Sequence, residues 1–356
     1  MNVISVERGK TDSDRVSKGC RSKNKSALSQ GLDISANTSL FVFLDCSRVI
    51  RTHNDHRNQA MKKHHLGSLL VLLSAFGFGA LAIFALYAYR GGINVTSLLF
   101  IRFGLASLFF FAYLLKGRFG IKVKTKQLGL LATLGLFYVT ASICYLSALR
   151  YIPASLNAFI YYIYPAFVCF LSFVSNREAL SLKIGLSLGL AMFGLMLILG
   201  TSFQSVNLIG SLLSLGAAVM YSFYIIICQR LLKRLSPRMM SAYVTFFAAL
   251  SLLLLQWVLG QKIRFDFAPM VWVFLLGIVL FSTVAPILLF MRGLQFVGPS
   301  RTAILSMTEP LFTVVLSVIL FRDRLALSQL AGGFLVLLGA FIIVAQSQTK
   351  AQGASG

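Results

Sequence analysis

Acidic residues are scarce in this chain, with 10 Asp and Glu against 33 Lys and Arg among 356 residues. After residue 66 only Glu178, Asp266, Glu309 and Asp323 carry a carboxylate. Charge of either sign is low as well, at 12% where a soluble domain has about a quarter, and 57% of the residues are hydrophobic. That leaves too little polar surface to cover a soluble globule. Histidine is missing beyond residue 65: His53, His56, His64 and His65 all precede the first long apolar run. No imidazole is therefore available inside that part of the chain to bind a metal or relay a proton. The five cysteines, Cys20, Cys46, Cys144, Cys169 and Cys228, form no CxxC pair, and three of them fall within apolar runs. This argues against a disulfide framework or a zinc site, and no metal or other cofactor is expected.

What is abundant is apolar sequence in runs of one length. Ten segments of roughly 18 to 22 residues follow one another: 67–87, 97–115, 128–149, 154–174 and 182–199, then 208–228, 241–259, 270–290, 300–320 and 327–345. At about 1.5 Å per residue such a helix matches a hydrocarbon core of about 30 Å, and a helix satisfies its own backbone, which lipid cannot do. The expected fold class is an all-α integral membrane protein with ten transmembrane helices.

The net charge of +23 could point to nucleic acid, but its distribution does not. Twelve basic residues lie in the first 66 positions, and most of the others sit in short gaps between apolar runs, the pattern of cytoplasmic loops. With the N-terminus inside, the inner loops hold 18 Lys and Arg and the outer loops 6. Both termini are thus expected in the cytoplasm, and no nucleic-acid partner is expected.

Residues 1–66 read as a polar, basic and disordered extension, since their one apolar patch, at 39–46, is far too short to span a membrane. The run "MKKHHLGSLLVLLSAFGFG" from Met61 has a short basic tail leading straight into a hydrophobic segment, as a membrane protein's own start would. Residues 347–356 read as a cytoplasmic tail.

The rest is a repeat. "GSLL" opens the first segment at Gly67 and the sixth at Gly210. A shift of 145 residues aligns "YIPASLNAFIYYIYPAFVCFLSFVSNREALSL" with "FVGPSRTAILSMTEPLFTVVLSVILFRDRLAL" without a gap, and 12 of the 49 positions from Ala148 to Met196 are identical. The halves are 67–200 and 207–346. Each contains five segments, an odd number, so the second half must be inverted relative to the first, a topology that places binding sites near the midplane where interrupted helices meet. Pro165 and Pro310 are the matching helix breaks.

These features resemble one family. The five-helix repeats, the "YYxYP" run at Tyr161, Tyr162, Tyr164 and Pro165, the "EP" pair Glu309 and Pro310, and the acids closing "NRE" at Glu178 and "FRD" at Asp323 are similar to the drug/metabolite transporter superfamily, specifically its EamA-type members. Asp323 stands where a Glu would be expected in that family. The resemblance spans residues 66–346 and implies a ten-helix carrier of small organic metabolites, often an exporter, in a bacterial plasma membrane.

Helical spacing nominates the site. Asn157, Tyr161 and Tyr164 share one face of the fourth segment, and Thr302, Ser306, Glu309 and Thr313 one face of the ninth. A central charge facing lipid costs roughly 2.5–3.5 kcal/mol on insertion scales, so both stripes should face inward, around a wet cavity for a small solute such as an amino acid, nucleobase or drug-like molecule. Glu309 has two readings: a carboxyl that exchanges a proton or holds a substrate cation, or a structural group that bonds the backbone freed around Pro310 or pairs with an Arg. Arg102 could snorkel to the outer interface, contact an anionic substrate or pair with Glu309. Tyr138, Ser142, Tyr145 and Tyr221 are further candidate lining residues. Pro286 offers a kink in the eighth segment. The triplet Gly185, Ser187 and Gly189 matches a hydrolase pattern, but without strand, His or nearby acid it reads as helix packing, as do Gly194 and Gly339. Glu178 and Asp323 read as partners of Arg177, Arg322 or Arg324.

The expected function is secondary transport of a small solute by alternating access, with protons as the coupling ion through Glu309 and no ATP motif to supply energy. The alternative is a membrane assembly or sensory partner that moves no solute; a membrane enzyme lacks convergent catalytic groups. Oligomeric state is not legible. Translation is expected to begin at Met61, and intact mass of the native protein checks this: a mass that includes residues 1–60 overturns it.

Overall fold

A computed structural model describes residues 36–117, 122–175, 181–200, 207–260, 263–321 and 326–352. One compact unit, Leu66–Val344, holds the features discussed below; the described residues before it and after it group separately. Glu178 and Asp323, with Arg177, Arg322 and Arg324, and residues 1–35 of the extension lie outside the described residues.

Among the described residues every regular element is a helix. They are α1 (Ala36–Arg90), α2 (Val95–Lys116), α3 (Thr125–Ala148), α4 (Ala154–Tyr161), α5 (Tyr164–Val174), α6 (Leu182–Leu199) and α7 (Leu208–Leu231). There follow α8 (Pro237–Val258), α9 (Val271–Val279), a π-helical turn (Leu280–Val284), α10 (Ala285–Val297), α11 (Pro299–Ser306), α12 (Glu309–Phe321) and α13 (Leu327–Gln352). By length and hydropathy they make ten spans, the fourth from α4 and α5, the eighth from α9, the π turn and α10, and the ninth from α11 and α12. The chain is a multi-pass membrane protein. The first span, Met61–Arg90, is the C-terminal part of α1. Residues 36–60, expected to be disordered, are helical: once a span has nucleated a helix, each further residue adds one hydrogen bond.

Side chains cap the helices where the sequence has the right oxygen. Asn94 accepts from the Ser97 amide to start α2, Ser181 from Ile184 to start α6, Asn207 from Ile209 and Gly210 to start α7, and Ser236 from Met239 to start α8. Gly298, at φ +86°, is the one residue between α10 and α11, a turn this short requiring a backbone conformation that only glycine adopts without strain.

The apolar and polar surfaces are reversed from those of a soluble protein. Leu108, Phe170, Trp257, Phe281 and Phe341 face outward, whereas Ser187, Ser214, Ser222 and Ser241 are fully buried. Their hydroxyls bond backbone carbonyls, Ser187 to Lys183 and Ser241 to Pro237 one turn back, Ser214 to Asn157 on a neighbouring helix. Ser187 is thus packed away inside α6, with nothing of a nucleophile's exposure.

The two repeats meet through matched contacts. In α6 and α13, a Cβ added at Gly194 would fall on the Gly332 carbonyl oxygen, one added at Gly332 on that of Gly194, and one added at Gly339 on that of Ser187. Under the 145-residue shift Gly194 corresponds to Gly339 and Ser187 to Gly332, so these are one contact seen from both repeats. The repeats also exchange first spans: Gly67 lies against Phe296 and Val297, and Gly210 against Tyr151 and Ile152, their counterparts. Small residues allow backbones this close in lipid, where no hydrophobic force drives helices together.

Helix propensity alone makes Gly→Ala favourable by about 1 kcal/mol. At Gly194 and Gly332 the clash with backbone should reverse that sign, with a loss of about 1–3 kcal/mol typical of overpacking. Thermal unfolding in detergent is expected to show Gly194→Ala and Gly332→Ala below the parent, and Gly189→Ala, which meets nothing within 4 Å, at or above it.

Candidate functional site

The prolines at the two breaks sit at equivalent places. Pro165 is the second residue of α5 and Pro310 the second of α12, and neither supplies the amide that the carbonyl four residues earlier, of Tyr161 or Ser306, would use in a continuous helix. The chain answers with tight turns. Ile163 N–H donates to the Ile160 carbonyl at 3.2 Å and Ala166 N–H to Ile163 at 2.9 Å; Met307 N–H donates to Ile304 at 3.1 Å and Thr308 N–H to Leu305 at 3.2 Å. The breaks at 162–163 and 307–308 are themselves 145 residues apart.

The two breaks meet at one place, Tyr162 and Tyr164 of the first and Glu309 of the second lining a single cavity. The cavity measures about 270 Å³, small against the roughly 300–1,000 Å³ of ligand pockets in general. Its polar lining is Tyr89 from α1, Arg102 from α2, Tyr138, Ser142 and Tyr145 from α3, Tyr161, Tyr162 and Tyr164 from the fourth span, Tyr221 from α7, and Glu309. Its apolar lining includes Phe78, Leu81 and Ala85 from α1 and Leu98 and Leu99 from α2.

The tyrosines form a connected wall. Tyr161 lies edge-on to Tyr145 with ring centroids 5.0 Å apart, Tyr221 edge-on to Tyr164 at 4.9 Å, and Tyr221 stacks on Tyr224 at 5.5 Å. Edge-to-face and offset pairs at these distances hold one another in orientation.

Eight of the residues nominated by helical spacing or position therefore meet at one cavity: Arg102, Tyr138, Ser142, Tyr145, Tyr161, Tyr164, Tyr221 and Glu309. Four others do not reach it. Asn157 is fully buried and its side-chain NH₂ donates to the Tyr145 carbonyl at 2.9 Å. Thr302 donates to Gly298 and Ser306 to Thr302, each one turn back, and Thr313 to Glu309 and to Gly79 of the first span. Helical spacing presumes one winding throughout, whereas the winding changes at 162–163 and 307–308, and it does not say which positions of a face a neighbouring helix covers.

Arg102 corrects a second expectation. It does not snorkel: it is 4% exposed. Its Nε donates to Thr283 Oγ1 at 2.8 Å and its Nη2 to the Ser282 carbonyl at 3.2 Å. The cause is in the eighth span. Pro286 has no N–H for the carbonyl of Ser282, four residues earlier, and the guanidinium takes that place. Thr283 Oγ1, in the π turn, in turn donates five residues back to the Ile278 carbonyl of α9. Such turns often mark functional sites.

Helical spacing also misses residues. Tyr162 lies about 100° from Tyr161 on an ideal helix and so falls off the stripe, yet it lines the cavity with Glu309. Thr283 is signalled only by two hydroxyl residues placed just before Pro286.

Comparison with known proteins agrees with this architecture. The EamA-like transporter family matches the chain twice, over residues 65–200 and 208–345. An uncharacterized transporter of Archaeoglobus fulgidus is 25% identical over 276 residues, 78% of this chain and 95% of that protein. The uncharacterized transporter YcbK of Bacillus subtilis is 24% identical over 278 residues, 75% and 88% of the two chains. A solved crystal structure with 17% identity has a TM-score of 0.69, covering 80% of this chain and 98% of that one, which speaks for the fold alone. With two family matches laid over two inverted five-helix halves, the chain belongs to the EamA-like transporter family.

Proposed function

We propose that this protein is a secondary active exporter of a small organic metabolite in a bacterial plasma membrane, working by alternating access and coupled to protons through Glu309. The observation that carries this reading is that the cavity occupies only one half of the bundle. From Glu309, Tyr164 and Tyr221 at mid-span, its lining continues to Leu146 near the end of α3, and to Tyr89 and Val95 where α1 ends and α2 begins. In the other direction Tyr224, Cys228, Met240, Val244, Met291 and Met307 are buried in one packed cluster. A site open toward one face and closed by side-chain packing toward the other is what alternating access requires of each end state. The excess of Lys and Arg on loops at the closed end argues that this end is cytoplasmic, which makes the present state outward-facing.

Glu309 suits a coupling role because one carboxyl faces the cavity from the helix break itself, where rearrangement of the broken helix would alter its surroundings. A proton and a substrate amine compete for it: protonation removes the negative charge that would hold the amine, and arrival of the amine displaces the proton. Arg102, Tyr145, Tyr161, Tyr162, Tyr164 and Tyr221 share the cavity with it. The carrier works as an antiporter when the proton returns inward as the solute leaves.

Reconstituted into liposomes and given a pH gradient, the parent protein is expected to drive net flux. Glu309→Gln should lose gradient-driven flux while retaining solute exchange in the absence of a gradient. Full gradient-driven flux in Glu309→Gln removes the carboxyl from coupling.

A further inference from the structure

From the two charges facing this cavity, we infer that its solute is a zwitterion, an amine and a carboxylate on one small apolar body, held between Glu309 and Arg102. The inference rests on the reading of the cavity as the transported solute's site, and it narrows that solute to one chemical class.

Arg102 and Glu309 line the same cavity from different repeats. The hydrogen bonds of Arg102 go to Thr283 and to the Ser282 carbonyl of the eighth span. A guanidinium has five N–H donors, so this anchorage leaves others for the cavity. The π turn and Pro286 act as the mount, fixing the cation to the wall and keeping it from folding across onto Glu309.

Each simpler class of solute leaves something unmet. A plain amine would be drawn to Glu309 and to the faces of the tyrosine rings, but it would share a small cavity with a fixed guanidinium of like charge. A plain carboxylate would meet Arg102 and be repelled by Glu309. An uncharged solute would displace water from both ions and give neither a counter-charge, and removing an ion from water without compensation is costly. A zwitterion supplies both counter-charges with no net charge of its own. Its body then has Phe78, Leu81, Ala85, Leu98 and Leu99 to lie against, which favours an apolar side chain. Hydrogen bonds to charged groups are worth about 1.5–3 kcal/mol, so each half of the zwitterion should be worth about ten- to a hundredfold in affinity.

The test is a matched series on the full chain in lipid nanodiscs, with binding read by calorimetry. Leucine carries both groups, 3-methylbutylamine lacks the carboxylate, and 4-methylpentanoate lacks the amine; phenylalanine, phenethylamine and 3-phenylpropionate repeat the series on a larger body. The expected result is that, in at least one series, the zwitterion binds at least about tenfold tighter than either of its fragments. Arg102→Gln should abolish the advantage over the amine, and Glu309→Gln the advantage over the acid. Because the comparison is made first within the parent protein, it stands even if a variant fails to fold. An amine that binds as tightly as its zwitterion overturns the inference in favour of a cation site, an acid that does so overturns it in favour of an anion site, and no binding in either series overturns it as well. Zwitterion binding without flux in liposomes would leave the site chemistry standing and overturn the transport reading instead. Flux of some other solute with no zwitterion binding would do the reverse.

Discussion

An amide or carbonyl in the hydrocarbon core has no water to bond, and each one left unpaired costs several kcal/mol. The architecture depends on this constraint. It forces every span to be helical, and it means that a proline in mid-span is tolerable only where protein groups or a wet cavity can compensate for the missing donor. Pro165, Pro286 and Pro310 all sit in such places. The first and third interrupt helices that meet at the cavity, and at the second the carbonyl left without its amide is taken by Arg102. The positions of the prolines thus select the positions of the polar chemistry.

The repeats give this chemistry its location. Small residues let the spans approach at contacts that recur under the same shift that relates the sequences, with Gly194 on Gly332 and Gly339 on Ser187. The breaks themselves are held differently: Ser222 on a neighbouring helix donates to the carbonyl of Tyr164, whereas Thr313, one turn on in the same helix, donates to that of Glu309, the residue equivalent to Tyr164. Nor are the side chains at the centre symmetric. One repeat contributes a tyrosine where the other has a carboxylate, and Arg102 comes from the tyrosine-bearing repeat. The scaffold is paired, and the asymmetry of its side chains gives the cavity two distinct electrostatic ends.

Much of this was legible before folding. The ten spans, the two halves, the inverted relation and the equivalent breaks follow from run lengths, an odd segment count and a self-alignment. So does the nomination of Glu309, a lone carboxylate in an apolar run, which lines the cavity. The lining was legible only in part. Tyr161 and Tyr164 were found by spacing on an intact helix, and that assumption also brought in Asn157, Thr302, Ser306 and Thr313 while passing over Tyr162. A route to the interface was one of three readings open to Arg102, because its long stem allows one. What draws it inward is a carbonyl 180 residues away in the chain, made available by a proline that by itself signals only a kink.

The sequence alone determined that this chain must live in a bilayer, how many times it crosses, and that its halves run in opposite senses, because those properties depend on segment length, composition and parity, which are local or countable. Tertiary structure decided which polar groups face the cavity and which bond their neighbours. That choice depends on the winding at the two breaks and on which helices adjoin the π turn, and both are settled by contacts between residues far apart in the chain.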